Sequence, residues 1–438
     1  MIVQLFSISF RQFVPILLIS TLASYGNAQE NKTDVKEIVD TEAKVIEYQK
    51  NLTDTYADKD NSILSKEDRL KFVAAGGHQF FTYDPTYKVI ADLTIYPKPD
   101  RIAMKTSTTR IANYNIYGKA TFIINGKEFQ LLIYQDANAF SSKLYKDQLF
   151  IPYTDLTSGN DTYGGGRYLD LIVPKDKGKI IIDFNKSYQP YCAYTDGYSC
   201  PIPPPENFIA HRIEAGIKHL DVRQQMTSEE LLSKSISYHD PENNWNKLDA
   251  TFEFKTVMAD QSERKRTVRI NNEKSEFSSE SYYEVGHLEY KVRNNNGVAL
   301  WNGNSSIPKE IAEKYRISND RAVMYRNYYT YLYGMPMKLK DPGTLLEPNV
   351  EIVEFHGKIY NRIKVIYEPE VGTDTWYFYF DVKSNALKAY QFFKDETKND
   401  GEYILFEEIK IIDKVKIPSI RHWYYNKDQK FLATDVIE

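Results

Sequence analysis

The chain has 438 residues, 42% of them hydrophobic and 26% charged, with a net charge of −4. That length predicts two or three domains and that composition an ordinary folded protein. There is no basic excess to hold phosphate backbones, so nucleic acid is not an expected partner.

The N-terminus carries Arg11, an apolar run from Phe13 to Ile19, and small residues ending in Gly26-Asn27-Ala28. This is the three-part layout of a secretory signal, cut after Ala28. The run is short for a membrane span, which leaves a single N-terminal anchor as the alternative. No later stretch offers 18 uninterrupted apolar residues, so the mature chain is expected to be soluble, without a transmembrane segment, in the bacterial periplasm or at the cell surface. The 35 Tyr, against 4 Trp, favour strands and half-wet surfaces, where a ring packs while its hydroxyl finds a partner. The fold class expected is mainly β: two β-rich domains at 29–222 and 223–438, following a signal at 1–28.

Residues 29 to about 58 have helical spacing, with Val35, Ile38, Val39, Ala43, Ile46, Leu52 and Tyr56 on one face. Ser65 and Asp68 resemble a cap before a second short helix. Val89, Ala91, Leu93 and Ile95 alternate as in a strand, and Asn125-Gly126 separates two strand-like runs as a hairpin turn. Tyr168 to Val173 and Lys179 to Phe184 read as another hairpin, turning at Asp176-Lys177-Gly178. Thr227-Ser228-Glu229-Glu230 opens a helix with a capping-box pattern. Strands are expected at 248–257, 266–271, 289–292 and 298–301, and helix between Pro308 and Tyr333. Six more strands follow, at 350–355, 360–367, 376–382, 387–393, 403–412 and 417–425.

The densest stretch runs from Phe150 to Asn207. It holds Gly164-Gly165-Gly166, Cys192, Cys200 and a Pro-rich close from Pro201 to Pro205. In an exported protein the two cysteines are expected to form a disulfide, ahead of a thiol nucleophile or half a metal site. The triple glycine is not a phosphate loop, because a strand-like run rather than a helix follows it. Glycines there allow positive φ, a bulge or a close backbone approach. With a four-residue hairpin loop, Asp170 faces Asp183 and Tyr168 faces Asn185; with a three-residue loop that pairing dissolves. Arg167 ends either inward, as a buried partner for an acid, or in solvent at the strand start.

These residues carry the candidate site. Arg167, Asp170 and Asp183 are the catalytic candidates. Tyr163, Gly165, Arg167, Tyr168, Asn185, Tyr194 and Glu206 are the ligand-binding candidates, gathered with them in one small concavity. A structural Arg–carboxylate network is the competing reading. Asp155, Asp161, Asp170, Asp183 and Glu206 leave paired-carboxylate chemistry open. No G-x-S-x-G, H-E-x-x-H or C-x-x-C is present, and the scattered histidines predict no metal site. No cofactor is expected.

The block TSGNDTYGGGRYLDL…DFNKSYQPYCAY…SCPIPPPEN resembles the family called domain of unknown function 1684, over about residues 40 to 218. The resemblance implies a β-rich domain with an N-terminal helix and no established reaction. The segments LLSKSISYHDPENNWNKLDATFEF, YLYGMPMKLKDPG and IPSIRHWYY resemble exported domains of lipoprotein-carrier (LolA-like) architecture. That implies a curved antiparallel sheet around helices with an apolar cavity. Tyr328, Tyr329, Tyr331, Leu332, Tyr333, Met335 and Met337 then line the cavity or its lid, or else form the helix–sheet core. The leading functional expectation is binding of a lipid-like ligand or an envelope protein. A hydrolase and a structural envelope scaffold are the alternatives.

Overall fold

Two mainly antiparallel sheets, built from separate stretches of chain, organise the molecule. The computed structural model describes residues 31–137, 146–175, 178–220 and 226–438, with side chains from residue 41 onward. The expected signal at 1–28 and the expected domain division at 222 lie outside the described residues.

Two helices come first, α1 (Asn31–Ala57) and α2 (Lys66–Ala74). Ser65 caps α2 by accepting from the Asp68 N–H, as the sequence predicts. The first sheet holds β1 (Lys88–Ile95), β2 (Arg101–Lys105), β3 (Ile111–Ile124), β4 (Lys127–Asp136), β5 (Gln148–Asp155), β6 (Arg167–Ile172), β7 (Lys179–Asp183) and β8 (Phe208–Ile209). The β3–β4 hairpin turns at Asn125 and Gly126, both with positive φ (49° and 75°). Hydrogen bonding runs in the order β6-β5-β4-β3-β1-β7.

That order overturns the second expected hairpin. β6 pairs with β5, placing Asp170 opposite Phe150, and β7 pairs with β1, placing Asp183 opposite Lys88. Asp170 and Asp183 are therefore not register partners, and neither is Tyr168 with Asn185. The longer strands β5 and β1 offer more apolar cross-strand contact than a six-residue neighbour does. The sheet curls so that its two end strands line one cleft. At the mouth of β6, Tyr168 exchanges backbone hydrogen bonds with Tyr188, and beyond that bridge the seam opens.

The C-terminal half starts with α3 (Ser228–His239), whose Thr227–Glu230 capping box is formed on both sides. Then come β9 (Asp249–Met258), β10 (Glu263–Asn271), β11 (Glu276–Tyr283), β12 (Gly286–Arg293) and β13 (Asn296–Trp301). The expected helix from Pro308 to Tyr333 is two helices, α4 (Lys309–Tyr315) and α5 (Asn319–Tyr333), broken where Arg316 takes positive φ. The remaining strands are β14 (Thr344–Leu346), β15 (Glu351–Phe355), β16 (Lys358–Tyr367), β17 (Thr375–Asp381), β18 (Leu387–Phe393), β19 (Glu402–Ile412), β20 (Val415–Tyr425) and β21 (Phe431–Ile437). They form one 13-stranded sheet, ordered β13-β12-β11-β10-β9-β21-β20-β19-β18-β17-β16-β14, with β15 also on β16.

This topology dictates where α5 must lie. β13 ends one edge and β14 the other, so the chain between them crosses the full width of the sheet. α5 makes that crossing over the concave face. Its Tyr325 stacks on Tyr290 of β12, its Tyr329 and Tyr333 meet Phe254 of β9, and its Tyr331 reaches Tyr367 and Trp376 of β16 and β17. Gly297 permits the approach at the β13 edge, since a Cβ there would sit 2.4 Å from the Asn319 carbonyl oxygen. The two halves touch where α2 meets β15, with Glu354 between Lys59 (3.0 Å) and Arg69 (3.8 Å).

Candidate functional site

The residues singled out in the first half do not converge. Side chains alternate across β6, so Arg167 and Leu169 point into the core while Tyr168 and Asp170 point away from it. Arg167 is fully buried and ion-paired to Asp155 at 3.0 Å, with neither side chain exposed. It also donates to the carbonyls of Ala215 (2.5 Å) and Ile213 (2.9 Å) and lies over the Tyr153 ring. Asp155 in turn accepts from the Ile213 and Thr157 N–H groups. This is a structural knot joining the end of β5, the start of β6 and the segment after β8. The expected single concavity with Arg167 at its centre is not formed.

Its neighbours also hold backbone in place. Gly166 has φ +88°, and a Cβ there would stand 2.6 Å from the Tyr153 carbonyl oxygen, which accounts for the last glycine of the triplet. Gly165 is exposed, and half-buried Tyr163 packs on His219. Tyr168 donates its hydroxyl to the Pro201 carbonyl. Asn185, buried, exchanges hydrogen bonds with the backbone of Asp84 and donates to Asp183. Glu206 is exposed, whereas its neighbour Asn207 is buried and bonded to the backbone of Leu132 and Pro152. Glu206 is among the ligand-binding candidates from sequence and Asn207 is not; the Pro-rich run before Asn207 is the signal that a fixed loop needs a fastener.

Cys192 and Cys200 are joined as a disulfide. The loop they close docks the helices onto the first sheet. Tyr198 donates to the Ile63 carbonyl and Thr195 to Asp68. Tyr194 is buried against Tyr56, Phe72 and His78, so its role is packing. Burial in that ring cluster lowers the His78 pKa to about 4.

Asp170 and Asp183 do share a feature. Both line the open seam between β6 and β7, a cleft of about 510 Å3 bordered also by Thr41 and Lys44 of α1, Lys88 and Lys186. Tyr188 donates to Asp170 at 2.9 Å. One side of Asp170 meets solvent, yet the protein massed around the other side lifts its carboxyl above the ordinary range despite that hydrogen bond. Among the described residues no group of three or more His, Cys, Asp or Glu is placed to hold a metal ion.

The second half presents a different interior. Register carries one continuous face from Val365 through Trp376, Phe392 and on to Phe254, Val268 and Phe277. Phe252, Phe378, Phe380, Tyr390, Ile404 and Phe406 complete this apolar wall. Tyr325, Tyr329 and Tyr333 of α5, spaced by four, form a stripe against it. Tyr329, Leu332, Tyr333 and Met335 are buried in this core, Tyr331 and Met337 pack on it, and Tyr328 is 41% exposed. All of these candidates but Tyr328 thus belong to the helix–sheet core.

Charged groups also lie inside. Arg421 on β20 is 1% exposed and stands 3.5 Å over the Tyr333 ring. Its register partner Asp435 accepts from Thr256 (2.5 Å) and from the Trp423 indole (2.9 Å). Burial raises the Asp435 pKa. Half-buried Arg266 caps the other end of the tyrosine stripe, over Tyr325. Sequence alone gave no sign of Arg421, because an arginine in a strand reads as a solvent-facing position.

Two family models match. One described as a protein of unknown function, DUF1684, covers residues 76–218, starting beyond α1 and α2 and so later than residue 40. One described as a family of unknown function, DUF6503, covers residues 220–438. No curated protein matches the sequence. Among solved structures, an uncharacterized protein of Haloarcula marismortui is 29% identical, over 43% of this chain and 99% of its own, with a TM-score of 0.35. A LolA superfamily protein of Nitrosomonas europaea is 9% identical, over 49% of this chain and 92% of its own, with a TM-score of 0.32. A putative outer membrane lipoprotein-sorting protein domain of Vibrio parahaemolyticus is 10% identical, over 47% and 89%, with a TM-score of 0.25. Among the described residues, no helix is long and apolar enough to cross a membrane.

Proposed function

The chain belongs to the family of unknown function DUF6503, and from that premise we propose that its C-terminal half binds an apolar, lipid-like ligand against the concave sheet beneath α5. The observation that carries this reading is the apolar wall itself, which runs nearly the whole width of the sheet and is covered chiefly by one helix. The cover is seated largely through ring contacts. Much of what holds such contacts is hydrophobic burial and dispersion, which an acyl chain can also supply. Met335 and Met337, at the exit of α5, are side chains that adapt to varied apolar shapes. The disulfide is compatible with an exported location. Native mass spectrometry of gently purified protein tests the reading: a bound lipid mass is expected. A clean apo mass across several preparations, with no uptake from added lipid, leaves the scaffold reading in its place.

The seam cleft favours one further reading, a hydrolase with Asp170 as its acid or base. Lysines bordering the cleft, rather than Arg167, then hold an anionic group, because Arg167 is committed to Asp155 and two carbonyls. Hydrolysis of ester or glycoside substrates that Asp170→Asn abolishes and Arg167→Lys spares supports it; equal loss in both removes it.

A further inference from the structure

Inside the C-terminal half lies a group of donors without acceptors. Arg421 spends only one nitrogen, Nη2, which donates to the Leu332 carbonyl of α5 at 3.3 Å. Its Nε and Nη1 have no partner, and neither has the Tyr390 hydroxyl nor the Ser419 hydroxyl. All three side chains are at most 2% exposed. Ser419 lies two residues before Arg421 on β20, so both project from the same face. The Tyr390 ring packs 5.1 Å from that of Phe406, which itself lies 5.2 Å from the Arg421 guanidinium.

Burying a guanidinium costs several kcal/mol unless an anion and hydrogen-bond acceptors meet it. The register partner of Arg421, Asp435, is already bonded to Thr256 and Trp423.

We propose that the ligand of the concave sheet is an acyl chain ending in a carboxylate, which pairs with the Arg421 guanidinium through its free N–H groups, with the hydroxyls of Tyr390 and Ser419 beside it. This rests on the binding reading given above and adds the head group to it. A guanidinium with free N–H groups and two hydroxyls match a singly charged acceptor with two oxygens. A phosphate monoester carries about twice that charge and would set the second charge near Asp435. The chain of the ligand takes the wall that α5 now covers. The Leu332 carbonyl bond makes Arg421 the contact through which head-group arrival and helix position are linked.

The full chain, stripped of lipid, is titrated with dibromostearic acid, its methyl ester and a brominated lysophosphatidate. Bromine quenches Trp423 and Trp376, both part of the concave face. The acid is expected to bind at least tenfold more tightly than the ester. Arg421→Met is expected to erase that difference by weakening the acid alone. Tyr390→Phe and Ser419→Ala, which each remove one hydroxyl with little change of shape, are expected to narrow it severalfold. Equal affinity for acid and ester in the unaltered protein overturns the head-group assignment, assigns the free donors to internal water, and leaves the apolar site standing. Tighter binding of the lysophosphatidate overturns the carboxylate. If none of the three binds, the binding reading fails and this one with it.

Discussion

His239 offers a sharp test of how the C-terminal half is held together. It ends α3, is fully buried, and pins the helix to two strands at once. Its Nδ1 lies 2.6 Å from the Lys416 carbonyl oxygen of β20, and its Nε2 accepts the Leu387 N–H of β18 at 3.0 Å. Only the neutral ring with its proton on Nδ1 satisfies both partners. Burial lowers its pKa from 6.5 to about 4, with Lys416 and Lys388 adding to the effect and the carbonyl bond opposing it. A histidine depressed in the folded state binds its proton more readily once unfolded. Its contribution is therefore complete above pH 6.5 and is lost as pH falls from 6.5 towards 4. Integrated from pH 7 to pH 4.5, that contribution is about 2.5 kcal/mol. The four tryptophans, Trp245, Trp301, Trp376 and Trp423, all belong to this half, so urea unfolding followed by their emission reports on it selectively. His78, depressed for similar reasons, lies in the other half. His239→Gln is expected to be less stable at pH 7, yet to lose about 2.5 kcal/mol less than the unaltered protein between pH 7 and 4.5. Identical acid sensitivity in the two proteins would refute the assignment of a neutral, doubly bonded ring.

Further outcomes follow from the first half. Arg167→Met strands the buried Asp155 charge and is expected to cost about 3–5 kcal/mol in urea unfolding, with no effect on binding of the brominated ligands. Asp170→Asn is expected to act oppositely: a carboxyl raised in the folded state opposes folding more as pH climbs past its unfolded value, so the variant's stability should decline less above pH 4. Replacing Cys192 and Cys200 by serine opens a loop with a sequence separation of 8. It is expected to cost about 2.5 kcal/mol and to expose α1 and α2 to limited proteolysis. Gly166→Ala forces positive φ on alanine and a Cβ onto the Tyr153 carbonyl, which is expected to cost about 1–3 kcal/mol, read as a lowered melting temperature.

Short-range signals were the legible ones. Asn125-Gly126 and the Thr227–Glu230 box specify their conformations within a few residues, and the structure forms both. The cues for a β6–β7 hairpin are equally local. Two strands separated by a short loop look like a hairpin until β5 and β1 outcompete it, and nothing within residues 168–184 encodes those competitors. Alternation did predict an inward option for Arg167, but its partner Asp155 lies twelve residues earlier, across a turn. The density of Gly, Pro, Asn and Tyr marked a region under backbone constraint. It did not distinguish constraint that builds a ligand site from constraint that anchors loops, because both call for the same side chains. Arg421 was invisible for the converse reason: its surroundings come from α5, some ninety residues away.

The placement of β9 beside β21 has a consequence for how the large sheet comes together. The wing from β9 to β13 and the wing from β14 to β21 are each zipped largely between successive strands, so either can form early. Their junction joins the first and last strands of the half, more than 170 residues apart, through five register pairs from Ala433–Met258 to Ile437–Phe254. The midline is therefore a late, long-range suture. An agent that pries at it need not melt either wing to part the two leaves, with α5 left as the strap between them.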